Sequence, residues 1–109
     1  MEVGPEFSVT RRRVGETIVV APVGEIDLGT VDAVEAEIEQ GLAEPHRELV
    51  LDLRAVSFLD STGIRLVVEL ARDHGPAFAV VRGTGEVDRV FGLVGLDGRV
   101  RMLDLAPGE

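Results

Sequence analysis

The chain of 109 residues contains no cysteine and no lysine. Without cysteine there is no disulfide framework, no thiolate nucleophile and no cysteine metal site. Without lysine, a P-loop, a Schiff base and a kinase-type catalytic lysine are all excluded. Positive charge is scarce as well: 11 arginines stand against 20 acids, a formal charge of −9. That balance argues against nucleic acid and anionic membrane as partners. Only two histidines, His46 and His74, could serve as bases near neutral pH. No apolar run is long enough to span a bilayer, and no signal peptide is expected at the start, so a cytoplasmic protein is the default. A hydrophobic content of 45% is that of an ordinary globular domain. At this length one domain, residues 1–109, is expected.

The pattern of what is present alternates between strand and helix. Residues 1–6, with Gly4-Pro5, read as a loose terminus. Phe7, Val9 and Arg11 alternate with Ser8, Thr10 and Arg12 as in a half-buried strand. Gly15-Glu16 turns the chain, and Thr17 to Ala21 runs back. Pro22 should mark that strand's end or an unpaired side, and Arg11-Arg12-Arg13 a charged hairpin end or edge strand. After the loop Gly24 to Thr30, with Thr30 as expected N-cap, Val31, Val34, Ile38 and Leu42 recur at helical spacing until Pro45. Leu49 to Leu53 is apolar on both faces, as in a central strand.

A helix from Ile64 to Arg72 follows, with Ile64, Val67, Val68 and Ala71 as its apolar stripe. Leu66 and Leu70 fall off that stripe and are best explained by packing against a neighbouring helix, with a partner surface as the alternative. Ala77 to Val81 reads as a buried strand, Thr84 can cap a short helix carrying Val87, Val90, Phe91 and Val94, and Arg99 to Leu105 reads as a last strand before the tail 106–109. The order β-β-α-β-α-β-α-β predicts an α/β fold, with a mainly parallel sheet opened by an antiparallel hairpin and right-handed crossovers.

Chemistry concentrates at Phe58-Leu59-Asp60-Ser61-Thr62-Gly63-Ile64, where a carboxylate, two hydroxyls and a glycine meet the start of a helix. Ser61 can cap the helix, or it can accept a phosphate that the positive helix end would favour. Asp60 can take the capping role instead and leave Ser61 exposed, and Gly63 removes bulk beside the hydroxyl. A hydrolytic triad needs a histidine at Ser61, but His46 and His74 sit in loops, and the stretch is not a G-x-S-x-G elbow. Gly83-Thr84-Gly85 starts like a dinucleotide fingerprint, but Asp88 stands where the third glycine belongs. Asp52 reads as an ordinary strand residue. No ligand spacing marks a metal site, and no cofactor is expected.

Phe58 to Ile64 resembles the signature of the STAS domain, in particular of bacterial anti-sigma factor antagonists. The loop Gly24-Glu25-Ile26-Asp27 through Thr30 resembles the family's second motif, and Val90 to Leu96 its third. The resemblance runs from about Phe7 to Leu105. It implies a partner-switching protein, not an enzyme. The hydroxyl that a serine kinase anti-sigma factor phosphorylates falls on Ser61. Asp27, Asp60, Thr62 and Gly63 join Ser61 in the partner-binding set. By this resemblance the unphosphorylated protein binds the anti-sigma factor and frees the sigma factor, phosphorylation abolishes binding, and a serine phosphatase resets it. A chain that is a monomer when free is expected. The alternative is a STAS adapter subunit in a stress-signalling complex or a lipid-transport assembly. Two departures from the family stand out: Pro22 occupies a strand position, and the further C-terminal helix of many members is short or absent. Arg65 and Glu69 also place charge on the helix beside Ser61.

Overall fold

The computed structural model describes residues 2–4, by their backbone, and 6–109. Its strands are β1 (Glu2–Gly4), β2 (Phe7–Val14), β3 (Thr17–Ile26), β4 (Glu48–Asp52), β5 (Val56–Leu59), β6 (Phe78–Val81) and β7 (Arg101–Leu103). Three helices lie between them: α1 (Val31–Leu42), α2 (Ser61–His74) and α3 (Gly85–Leu93). Short 3-10 turns at Gly75–Ala77 and Leu96–Gly98 end the last two crossovers.

The sheet runs β1-β2-β3-β4-β6-β7, with β5 paired to β3 off that path. β2 pairs antiparallel with both β1 and β3, and every other pairing is parallel. The α/β architecture with its antiparallel opening is therefore as the sequence predicts. Two strands were not anticipated. Glu2 to Gly4 pairs with β2 instead of lying loose; Met1 and Pro5, also in the stretch expected to be loose, fall outside the described residues. Val56 to Leu59 is a strand whose burial reads buried, exposed, exposed, buried, so it lacks the alternation that reveals strands.

Pro22 lies inside β3, and the reason it is tolerated is visible in the register. β3 pairs with β4 up to Val20↔Leu51 and with β5 only from Gly24↔Val56, so Pro22 sits where that edge changes partners. A missing N–H costs nothing on an unpaired edge. The change of partner carries β5, and the helix that follows it, alongside the far end of β3.

Two apolar layers hold the sheet. The larger takes Val9, Ile18, Val20, Leu49, Leu51, Phe78 and Val80 from the strands, with residues from all three helices. α2 buries Gly63, Leu66, Val67 and Leu70, while Ile64, Val68 and Ala71 are only partly covered. The buried face is thus rotated from the expected stripe. Leu66 and Leu70, with Ile38 and Leu42 of α1, line the groove between the two helices, the packing explanation of their off-stripe position.

The opposite face carries Val19, Val50, Ala79 and Val81, closed by Ala106. The tail is docked there: Arg12 Nη1 donates to the Pro107 carbonyl at 3.1 Å, and Arg54 pairs with both Glu109 and Asp52. The three consecutive arginines go three ways: Arg11 to Glu37 on α1, Arg12 to the tail, and Arg13 to the Gly15 carbonyl of the hairpin turn.

Candidate functional site at the start of the second helix

β3 and β5 are neighbouring parallel strands, with Ile26 opposite Leu59. Each gives way to its loop at the next residue, so Asp27 and Asp60 stand at adjacent strand tips, and the Asp60 amide donates to the Ile26 carbonyl at 3.2 Å. This register, set by the β5 that the sequence did not reveal, brings the two predicted acids together.

Asp60 caps α2 from an extended conformation. Its Oδ1 accepts the Thr62 amide at 2.8 Å, the Gly63 amide at 3.3 Å and the Thr62 hydroxyl at 2.5 Å. The Thr62 hydroxyl first, and then the amides of Thr62, Gly63 and Leu28, hold the carboxyl below its ordinary range against partial burial. Through its own amide on the Ile26 carbonyl, Asp60 ties the two strand tips together as well as the helix start.

With the cap taken, Ser61 is exposed and its Oγ makes no hydrogen bond among the described residues. It is the first residue of the helix, on the outside of the first turn. Its neighbour Thr62 is half-buried, with its hydroxyl spent on Asp60.

Asp27 is half-buried and faces its own loop. Its Oδ1 accepts the Gly29 amide at 2.9 Å, and its carbonyl accepts the Thr30 and Val31 amides at the start of α1. Thr30 holds the N-cap position but does not cap with its side chain. Its hydroxyl donates to the Glu25 carbonyl at 2.7 Å and accepts the Asp27 amide at 2.9 Å, closing the loop on itself. A hollow of about 270 Å³ beside this loop is lined by Gly24, Glu25, Asp27, Thr30 and Ser57.

Gly63 requires a correction. It is buried, and a Cβ there would stand 2.4 Å from Leu59 Cδ1 and 3.1 Å from Ile26 Cγ2. Glycine is needed because α2 presses against β5 and β3, not to open the surface beside Ser61. Gly63 therefore shapes the site from beneath.

Two apolar side chains at the site were missed. Leu28, on the Asp27 loop, is 77% exposed, and Phe58, three residues before Ser61, is 42% exposed. Hydrophobicity alone predicts burial for both; only the loop geometry and the unalternating β5 reveal that they face outward. Leu93 and Val94, at the end of α3, are exposed as well.

Neither histidine is placed to activate Ser61. His74 is at the far end of α2, about 20 Å along the axis at 1.5 Å per residue. His46 precedes β4, at the opposite end of the parallel strands, where its Nδ1 contacts the Glu44 carbonyl. Gly83 and Gly85 have structural roles: a Cβ on Gly83 would meet Val87 Cγ1 at 2.7 Å, and Gly85 has φ +53°. Among the described residues no group of three or more His, Asp or Glu side chains could hold a metal ion, and no helix is long and apolar enough to cross a membrane.

Comparison with known proteins bears on the family and the fold. The anti-sigma-F factor antagonist RsfB of Mycobacterium tuberculosis is 37% identical over 81 residues, a match spanning 72% of this chain and 66% of that protein. The crystal structure of an anti-sigma factor antagonist from Mycobacterium paratuberculosis superposes with a TM-score of 0.81 at 30% identity, covering 95% of this chain and 92% of that one. The Bacillus anti-sigma factor antagonist SpoIIAA, in its unphosphorylated form, shares the fold at 22% identity, with a TM-score of 0.71 over 88% of each chain. The STAS domain family model matches residues 8–105, from the second strand to the foot of the docked tail. On that match, spanning every element that builds the Ser61 site, the chain belongs to the STAS domain family.

Proposed function

We propose that this chain is an anti-sigma factor antagonist whose switch is the Ser61 hydroxyl. In its unphosphorylated form it binds, in the cytoplasm, an anti-sigma factor that is also a serine kinase, and so releases the sigma factor. Phosphorylation of Ser61 ends that binding, and a serine phosphatase restores it. The observation that carries the reading is the division of labour at the helix start. Asp60 satisfies the cap, which leaves Ser61 Oγ exposed and without a hydrogen bond. The names of the mycobacterial relatives support the same reading.

The surface around the hydroxyl suits a protein partner. Leu28 and Phe58 supply exposed apolar anchors, Asp27 and Asp60 the polar rim, and the half-buried Thr62 backs the hydroxyl. A phosphate on Ser61 adds about −1.5 to −2 charges. At a helix N-terminus the fold tolerates that charge. The cost falls on the complex, where a charge beside Asp60 would have to be desolvated against a partner fitted to a neutral hydroxyl. The switch is therefore one of affinity and not of fold.

The test is to incubate the chain with candidate anti-sigma kinases and ATP, map the phosphosite, and measure binding of the wild type, Ser61→Ala and Ser61→Asp. Phosphate on Ser61 alone, with binding kept in Ser61→Ala and lost in Ser61→Asp, is the expected result. A stable complex indifferent to Ser61→Asp would overturn the switch and favour an adapter role.

A further inference from the structure

Arg65 stands one helical turn beyond Ser61, at position i+4 on α2, and both side chains are exposed. Residues four apart lie side by side on a helix surface, roughly 5–6 Å between Cβ atoms. The lack of a partner for its guanidinium sets Arg65 apart. Eight of the 11 arginines form ion pairs: 11, 12, 47, 54, 72, 82, 89 and 101. Arg13 donates to a carbonyl. Among the arginines of the described residues, Arg65 and Arg99 alone have a guanidinium with neither an ion pair nor a hydrogen bond, in a chain with 20 acids. Glu69 is four residues further along α2, yet Arg65 makes no pair with it.

We infer that Arg65 is the counter-ion of the phosphate on Ser61. The inference rests on the proposed phosphorylation and adds what becomes of the charge once it is there. A guanidinium matches a phosphate bidentately, through two parallel N–H donors. The order along the helix, anion first and cation four residues later, is the favourable one. Asp60 and Asp27 repel the phosphate from the strand-tip side, so the accessible partner is the unpaired cation on the outer face of α2. The pair draws the phosphate back along the helix, offsets its repulsion by Asp60, and ties up Arg65, which the unphosphorylated chain leaves open to the partner. Phosphorylation thus changes two docking groups, a hydroxyl and a cation, for one covalent event.

The experiment builds phosphoserine into position 61 of the full chain by genetic encoding, which needs no cognate kinase. The thermal midpoint and the Arg65 Nε–H resonance are then measured for the wild type, Arg65→Gln and Arg65→Lys, each with and without the phosphate. With arginine, phosphorylation should be more favourable by about 2–4 °C in Tm than in Arg65→Gln, with Arg65→Lys between them. The difference should shrink in 0.5 M salt, and the Nε–H signal should shift only on phosphorylation. An equal effect of the phosphate in all three chains, with an unmoved Nε–H signal, overturns the pair. Coupling found in a chain that no anti-sigma kinase modifies upholds the pair and overturns the functional reading instead. Absence of coupling in a chain that such a kinase does modify overturns the pair alone.

Discussion

Thr62 donates twice to one oxygen of Asp60, through its amide at 2.8 Å and its hydroxyl at 2.5 Å. That double contact decides which residues of the Asp-Ser-Thr run are committed to structure and which hydroxyl is left without a partner. A hydroxyl on Ser61 has no such claim on it.

The capping assignment predicts different outcomes for two substitutions at position 60. Asparagine caps a helix about as well as aspartate, whereas alanine does not cap at all. Asp60→Ala should lower Tm by roughly 4–8 °C. Asp60→Asn should stay within about 2 °C of the wild type. Ser61→Ala, which removes no hydrogen bond, should be equally mild. A large loss in Ser61→Ala by calorimetry would show that the serine, not the aspartate, holds the helix start.

At Gly63 two opposing effects can be weighed. Replacing glycine by alanine inside a helix gains up to about 1 kcal/mol of propensity. Forcing a methyl into a filled core costs roughly 1–3 kcal/mol. The new Cβ would meet Leu59, itself only 4% exposed, and Ile26, at 1%, so neither neighbour has room to yield. The clash wins. Gly63→Ala should lose about 1–2 kcal/mol by denaturant unfolding, with no partner present. Unchanged stability would return Gly63 to the role of opening the surface.

How much of this was legible beforehand differs from element to element. The helices and the parallel core announce themselves, because Val31, Val34 and Ile38, or Leu49 to Leu53, bury what their spacing says they bury. β5 does not, since its exposure follows contact with the end of β3 and α3, not a period of two. The site inherits that difference. Asp60 and Ser61 could be read from adjacency to a helix start. The nearness of Asp27, the outward turn of Leu28 and Phe58, and the inward packing of Gly63 depend on register across strands more than 30 residues apart. Asp52 appeared an ordinary strand residue for the same reason, because its link to the tail through Arg54 closes only in three dimensions.

The groove between α1 and α2 carries a charge imbalance that can be relieved. Burial first, then Asp32, Glu69 and Glu39, raises the Glu35 carboxyl above its ordinary value. A carboxylate with a raised folded pKa opposes folding when ionised, so its cost appears as pH rises through that value. Glu35→Gln removes the repulsion from positions three residues before and four after. Like-charge pairs at such spacings cost about 0.2–0.5 kcal/mol each. The substitution should raise Tm by about 2–4 °C at pH 7 and by less at pH 4. A gain of equal size at both values would mean that packing, not charge, is responsible.

Asp52 carries the opposite sign. Burial pushes its carboxyl up, but hydrogen bonds from the Arg54 guanidinium and backbone amide outweigh burial and hold it below the ordinary range. The guanidinium contacts are at 3.0 and 2.9 Å. A depressed folded pKa contributes stability that is fully present above the unfolded value, about 3.9, and is lost as pH falls through the folded one. Glu109 is lowered as well, chiefly by Arg54, so the tail's anchor fails in the same direction. Arg54→Ala leaves Asp52 with its burial and without its partner, which turns a stabilising carboxylate into a costly one. Acid unfolding followed by circular dichroism should then begin at higher pH than in the wild type. Arg47→Ala breaks only the exposed pair with Glu16 and should leave the acid limb in place. Coincident acid limbs for wild type and Arg54→Ala would mean that the tail is held by Ala106 and its apolar neighbours, with the ion pairs as passengers.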